Sequence, residues 1–300
     1  MPSRLGLALI VAFWLAVMGY VGHRDLWPRF FAEAAPTTRI DLSDEATQSV
    51  PARWSIYRGA QKIGTLRTLM AYAPGDNTFV FTSTYRDLRF DVSSLKCVVP
   101  ELESVVTVSR DGEFRGQSMK GKLQAKVMVG PIALFDADAT ANVTSRVENG
   151  MLVGECKLES PLGNLDQPLQ PVPVRGGQVL NPLQPVNRLN GIRPGRRWLV
   201  YEVNPLADAM TALAQGLIRK HAQTSLANFL PSAGDKPPLV ATVAGDPVTL
   251  DRPTGGVECW LIEYRGEKAT ARTWVAVADG RVLRQEASGQ GETLRLERED

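Results

Sequence analysis

The sequence predicts an α+β protein that is mainly β. It reads as an N-terminal transmembrane helix, then a large curved antiparallel sheet (an open half-barrel) with one long amphipathic helix packed against it. Three observations lead there. Residues 5–22 carry no charge. From residue 53 onward, segments of alternating polarity are broken by Asp-Gly and Asn-Gly dipeptides, the pattern of hairpin-linked strands. Between residues 204 and 229 the apolar period changes once, from two to about 3.6.

The uncharged segment follows a tail whose only basic side chain is Arg4. As a helix it is about 27 Å long at ~1.5 Å per residue, close to bilayer hydrocarbon thickness. A cleaved signal needs a shorter apolar stretch and a nearby small-x-small site. Here His23, Arg24 and Asp25 come next, and Ala32-Glu33-Ala34 lies beyond them. The reading is therefore a signal anchor at 1–22, with a cleaved signal as the alternative. Arg4 and the terminal amine against Arg24 and Arg29 do not decide orientation. A four-residue tail before an apolar stretch has the form of an export signal. Residues 23–51, with Pro28, Pro36 and many polar side chains, read as a juxtamembrane linker.

An extracytoplasmic β-rich domain is expected over 52–300. Strands are expected at 53–58, 62–72 and 78–92, the last with Phe79, Phe81 and Tyr85 in alternation. Residues 103–109 should meet 113–120 across Asp111-Gly112, and 140–147 should meet 151–158 across Asn149-Gly150. From 160 to 195 seven prolines, among them Pro161, Pro168 and Pro194, forbid a regular ladder. That stretch is a Pro-rich crossover, and it could divide the domain into lobes at 52–159 and 196–300. A strand at 197–203 leads to the helix. Asn204 can cap it, Pro205 suits its first position, and Leu206, Met210, Leu213, Leu217, Ala222, Leu226 and Phe229 form its stripe before Pro231. Strands at 239–243, 257–264, 269–278, 281–287 and 292–298 complete a meander. In the 257–264 strand both faces are apolar, so both need a cover; the helix is the expected one.

Composition excludes several classes. The chain has 34 Lys and Arg against 32 Asp and Glu in 300 residues, spread along its length. Nucleic-acid binders concentrate basic charge on one face, so nucleic acid is not an expected partner. Cys97, Cys156 and Cys259 are too widely spaced for a disulfide framework or a metal knuckle; Cys156 and Cys259 sit among strand-like neighbours as buried thiols.

No catalytic residue is assigned. His23 lies beside the uncharged segment and His221 on the expected helix, without a carboxylate at helical spacing. Gly116-Gln117-Ser118-Met119-Lys120 fails the nucleophile-elbow pattern at its last place, and Ser93-Ser94-Leu95-Lys96 has a Ser-x-x-Lys spacing without companion motifs. No His-x-x-x-His or Cys-x-x-Cys occurs, so no metal is assigned. Asp136-Ala137-Asp138 reads as a solvated turn in a loop after Pro131, and no cofactor is expected.

A binding reading remains. A long amphipathic helix over a concave sheet leaves an apolar gap, which either holds a ligand or is filled by side chains. Phe79, Phe81, Met210, Leu213, Leu217, Trp260 and Trp274 are the candidate lining.

Several motifs resemble a known group. Trp54-x-Ile56-Tyr57-x-Gly59-x-x-Lys62-Ile63-Gly64, Arg193-Pro194-Gly195-Arg196-Arg197-Trp198 with Val203-Asn204-Pro205, and Trp274-Val275 followed by Asp279-Gly280-x-Val282-Leu283-Arg284-Gln285-Glu286 recur together. The set is similar to uncharacterised exported bacterial β-proteins related to the lipoprotein-localisation carriers, and to the β-domain ahead of bacterial transglutaminase-like domains. The resemblance implies an open, curved antiparallel sheet sheltering lipid or a lipidated partner, and it carries over no catalytic residue.

The expectation is thus a membrane-anchored, non-enzymatic envelope protein of the bacterial inner membrane, single-pass, with its body in the periplasm. Its partners would be the membrane through residues 5–22, a lipid or lipoprotein ligand, and an envelope protein. An interaction scaffold with a filled core and a hydrolase with an unrecognised site are the alternatives.

Overall fold

A computed structural model describes residues 51–92, 95–109, 113–129, 132–161, 163–169, 171–173, 187–189, 191–200, 239–266, 269–289 and 292–299. Sixteen strands follow one another: β1 (Ala52–Arg58), β2 (Gln61–Ala73), β3 (Thr78–Val92), β4 (Leu95–Ser109), β5 (Phe114–Val129), β6 (Ile132–Glu148), β7 (Met151–Ser160), β8 (Gly163–Pro168), β9 (Val172–Pro173), β10 (Arg197–Val200), β11 (Leu239–Val243), β12 (Val248–Arg252), β13 (Gly255–Arg265), β14 (Ala269–Ala276), β15 (Val282–Gly289) and β16 (Glu292–Arg298). They form one antiparallel sheet in the order β10-β11-β13-β14-β15-β16-β1-β2-β3-β4-β5-β6-β7-β8, with β12 beside β13 and β9 beside β7.

The first strand joins the two halves of the chain. β1 pairs with β2 on one side and with β16 on the other, placing Trp54 opposite both Leu66 and Arg298. Residues 52–160 and 197–298 therefore share one sheet. It does not close: β10 and β8 are its edges. The β8 edge is continued past Leu169 by β9, whose two residues pair with Met151 and Leu152. Pro168, Pro171 and Pro173 lie along it, and proline has no N–H to offer an incoming strand.

The α+β expectation is corrected to all-β. No helix occurs among the described residues, and none of theirs is long and apolar enough to cross a membrane. The expected transmembrane helix and signal anchor at 5–22, and the expected amphipathic helix at 204–229, lie outside the described residues. Among the described residues each face of β13 has apolar neighbours. On one face of β13, Ile262 and Tyr264 belong to the largest buried cluster, together with Leu189 of the crossover and the partly buried Ile192. On the other, Cys259 packs with Leu250 of β12, Ala276 and Leu283.

The large cluster fixes an inner face. It runs through Trp198 and Val200 on β10, Ala241 and Val243 on β11, Ile262, Ala271, Val275, Val282 and Leu296, then Ala52, Trp54, Ile56 and Leu66 on β1 and β2. Trp198 meets Tyr264 edge-on with centroids 6.5 Å apart. The outer face carries cross-strand charge pairs such as Arg86–Glu101 and Arg284–Glu297.

The crossover is tied down where it is described. Leu189 N donates to Gly280 O at 2.9 Å, Val282 N to Asn187 O at 3.1 Å, and the Arg298 guanidinium to Asn187 O at 3.2 Å. The Asn149-Gly150 turn forms as expected, with φ of 51° and 73°; both residues sit in the left-handed region that a two-residue hairpin requires. Asp136 and Asp138 do not lie in a loop, because β6 begins at Ile132 and carries both.

Candidate functional site

Strands β3 to β6 hold 15 to 17 residues each, against seven or eight in β14 to β16. At ~3.3 Å per residue they are about 50 Å long, so this half of the sheet is a tall wall. Its inner face follows from the register. Tyr72, Met70, Thr68 and Leu66 on β2 stand opposite Phe79, Phe81, Ser83 and Tyr85 on β3. Those stand opposite Val108, Val106, Ser104 and Leu102 on β4. The set continues through Phe114, Gln117, Met119 and Gly121 on β5, then Ala141, Val143, Ser145 and Val147 on β6, to Leu152, Gly154, Cys156 and Leu158 on β7.

Two irregularities keep this face apolar. Asp87 has a φ of 53°, and after it Leu88 instead of Arg89 packs against the large cluster. Without that turn, strict alternation from Tyr85 would put Arg89 on the inner face. Opposite it, β4 and β5 slip register between Val98 and Glu101, beside Pro100.

The wall has three small buried clusters, separate from the large one. Met70 and Phe79 pack with Tyr72, Phe81 and Val108. Val106, Phe114 and Leu152 share Phe81 and Val108 with them. Met119, Val143 and Cys156 pack with Leu102 and Leu169. The Tyr72 and Phe79 rings lie 4.8 Å apart, and the Tyr72 hydroxyl donates to Asn77 Oδ1 at 2.7 Å.

A row of small polar groups crosses the wall. Thr68, Ser83 and Ser104 are directly opposite one another and are 6, 8 and 9% exposed. Thr68 Oγ1 accepts from the Trp54 indole N–H at 3.1 Å. Ser104 Oγ accepts from Gln117 Nε2 at 3.0 Å, and the buried Ser145 hydroxyl donates to Gln117 O at 3.4 Å. No charged residue occupies any of the inner-face positions named for β2 to β7.

Burial sets the titration of the groups on the inner face. It raises the Tyr85 phenol, and it pushes Tyr264 up to about 12, against a smaller opposing pull from the Thr273 hydroxyl. Both buried thiols shift upward too. Cys156 does so by desolvation and the Asp166 charge; Cys259 reaches about 11 by desolvation, which the Arg252 and Arg284 charges oppose. A thiol held protonated is a poor nucleophile.

The structure treats the expected lining unevenly. Phe79 and Phe81 lie together on the inner wall. Trp260 packs against the large cluster on the same face but among β13 neighbours. Trp274 lies on the opposite face, with Leu250, Cys259 and Leu283, under the Arg284 guanidinium 5.7 Å from its ring centroid. Met210, Leu213 and Leu217 lie outside the described residues. Sequence reading missed Thr68, Ser83, Ser104, Gln117, Met70 and Met119. Thr68, Ser83, Ser104 and Gln117 are polar residues at apolar-parity positions, and Met70 and Met119 are ordinary apolar strand residues, so the set is legible only once the register is known.

Chemistry for catalysis is not assembled here. Among the described residues no three His, Cys, Asp or Glu side chains gather to hold a metal. His23, His221, Ser93 and Ser94 lie outside them. Gly116-Gln117-Ser118-Met119-Lys120 is continuous strand in β5, not a strand-to-helix elbow.

The fold is thus an open, all-antiparallel sheet with a neutral inner wall. No protein-family model matches the chain, and no curated protein matches it. Among solved structures it is similar to a protein from Brucella abortus described as a β-barrel-like protein of a domain of unknown function. That match has 12% identity and a TM-score of 0.30, and covers 83% of this chain and 96% of the other. The description mentions neither the lipoprotein-localisation carriers nor the transglutaminase-linked proteins. Nothing about the site follows from so distant a likeness.

Proposed function

We propose that this chain is a non-enzymatic binding protein whose tall wall, β2 to β7, takes a lipid-like ligand or the lipid of a lipidated partner. The observation that supports this reading is the contrast along the inner face. From β10 to β2 the buried residues form one continuous cluster anchored by Trp54, Ile262 and Val275. From β2 to β7 the clusters hold two or three buried residues each, and two of the three contain a methionine. Methionine is flexible and adapts to ligands of irregular shape. An exported location, inferred from the uncharged segment 5–22, belongs to the same proposal.

The test is saturable uptake of a fluorescent acyl probe by the purified full-length protein, with melting measured alongside. A ligand bound only by the native state stabilises it by ~2.7 kcal/mol at a hundredfold excess over Kd. For a domain this size that is a rise of roughly 5–10 °C. Phe81→Ala should weaken uptake and shrink the rise. No saturable uptake and no thermal shift would refute the proposal and leave a filled-core scaffold.

A further inference from the structure

We infer that the ligand of this wall is a neutral amphiphile, two hydrocarbon parts joined by an uncharged carbonyl such as an ester or amide, and not a free fatty acid. The inference rests on the lipid-binding reading above and adds the chemical class. It comes from the polar row and from what borders it.

Thr68, Ser83 and Ser104 lie in register on three adjacent strands; Gln117 and Ser145, in register with each other but one inner-face step off that row, continue it obliquely over two more through the Gln117–Ser104 hydrogen bond. At ~4.8 Å per strand the row runs for roughly 20 Å across the wall. Apolar side chains border it on both sides. Met70, Phe79, Phe81, Val106 and Phe114 lie toward the β2–β3 turn, and Leu66, Tyr85, Leu102 and Leu88 lie on the other. A ligand lying along the strands would thus meet hydrocarbon, then hydroxyls, then hydrocarbon.

The hydroxyls select the polar part. Thr68 Oγ1 accepts a hydrogen bond from Trp54 and Ser104 Oγ accepts one from Gln117, and a hydroxyl that accepts still carries a proton to donate. The complementary ligand group is an acceptor, as a carbonyl oxygen is. A carboxylate is an acceptor too, but it brings a charge, and an unpaired charge in a buried site is far more costly than a neutral dipole. Among the described residues the wall offers no cation: every inner-face position named for β2 to β7 is uncharged. Arg298, on the inner face of β16 two strands from β2, is already engaged with the Trp54 ring, 5.9 Å to the centroid, and with Asn187 O.

A matched pair of probes tests this, one fluorescent acyl chain as the free acid and as its methyl ester, titrated into the purified full-length protein at pH 8. The ester should bind at least roughly tenfold more tightly, and acid uptake should rise as pH falls and the acid becomes neutral. Each hydroxyl–carbonyl hydrogen bond is worth about a fivefold change in affinity. Ser83→Ala with Ser104→Ala should therefore weaken ester binding by roughly twentyfold, and Ser104→Thr, which keeps the hydroxyl, should bind the ester nearly as the wild type does. Equal or tighter binding of the acid at pH 8 would overturn the inference while leaving lipid binding intact. So would an ester affinity untouched by the double alanine variant. Binding of neither probe would overturn both. If the double variant folds poorly, the wild-type comparison of acid and ester still decides.

Discussion

Gly154 offers the sharpest test of the packing on the tall wall. It stands opposite Ser145 in the β6–β7 ladder, and a Cβ there would lie 2.1 Å from the Thr144 carbonyl oxygen and 2.8 Å from Ser145 Cα. Both are backbone atoms, so no side chain can swing aside, and relief requires β7 to retreat by more than about an ångström, since real Cβ contacts stay beyond ~3 Å. Retreat stretches the neighbouring β6–β7 hydrogen bonds and strains the 2.8 Å bond from Leu169 N to Gly154 O on the other side. Losing two or three such bonds at ~1 kcal/mol each, together with disturbed packing at Cys156 and Val143, gives a cost of about 3–4 kcal/mol for Gly154→Ala. Relief of unfolded-chain entropy returns up to ~1 kcal/mol. The melting temperature should fall by roughly 5–12 °C. Gly75 is the control: a Cβ added there would meet nothing within 4 Å, so Gly75→Ala should be neutral or stabilising by ~0.4–1 kcal/mol. Calorimetry on both variants checks the pair. A Gly154→Ala protein that melts with or above the wild type would refute the close approach of β6 and β7.

Three further expectations follow from polar groups with identified partners or burial. Trp54→Phe should cost about 2–3 kcal/mol, because it removes the indole donor from buried Thr68 and leaves a void; in denaturant titrations Trp54→Phe with Thr68→Val should cost less than the two single changes summed, and strict additivity would show that the bond contributes nothing. Tyr264 is raised to about 12 in the native state, so its contribution is complete below the unfolded value of ~10 and is lost as pH rises toward 12; Tyr264→Phe should flatten that alkaline decline in melting temperature, and an unchanged slope counts against it. Glu299 is lowered chiefly by the Ser55 hydroxyl, with Lys62 adding to it against desolvation, so its contribution is present above ~4.3 and lost as pH falls through its native value; Glu299→Gln should reduce the acid sensitivity of unfolding, measured by melting between about pH 3 and 6.

Much of the β architecture was legible because alternation and turn chemistry are local. The strands at 239–243 and 292–298 run as expected, and Asn149-Gly150 makes its hairpin since both residues tolerate positive φ. What failed was non-local or ambiguous. β8 was hidden by Pro161 just before it and Pro168 at its end, which an edge tolerates and a central strand does not. Asp136 and Asp138 look like a loop, yet both are paired positions of β6, opposite Lys126 and Gln124 of β5. The two-faced β13 called for a cover, and the sequence pattern suggested a helix; among the described residues Leu189 of the crossover joins the cluster on one face, and Leu250 of the neighbouring β12 packs with Cys259 on the other.

The candidate site was hidden for a related reason. Aromatic residues announce themselves in a sequence, so Phe79, Phe81, Trp260 and Trp274 were grouped, although a single strand step puts Trp274 across the sheet from Trp260. Thr68, Ser83 and Ser104 announce nothing singly: each is one hydroxyl in a strand rich in Thr and Ser. Their meaning arises from two registers together, β2 on β3 and β3 on β4, and from the turn at Asp87 that keeps Arg89 off the same face. The turn at Asp87 keeps charge off this stretch of β3, because strict alternation from Tyr85 would have set the Arg89 guanidinium on the inner face, beyond Tyr85. Asp87 is therefore as much a determinant of the polarity of this surface as the residues that line it.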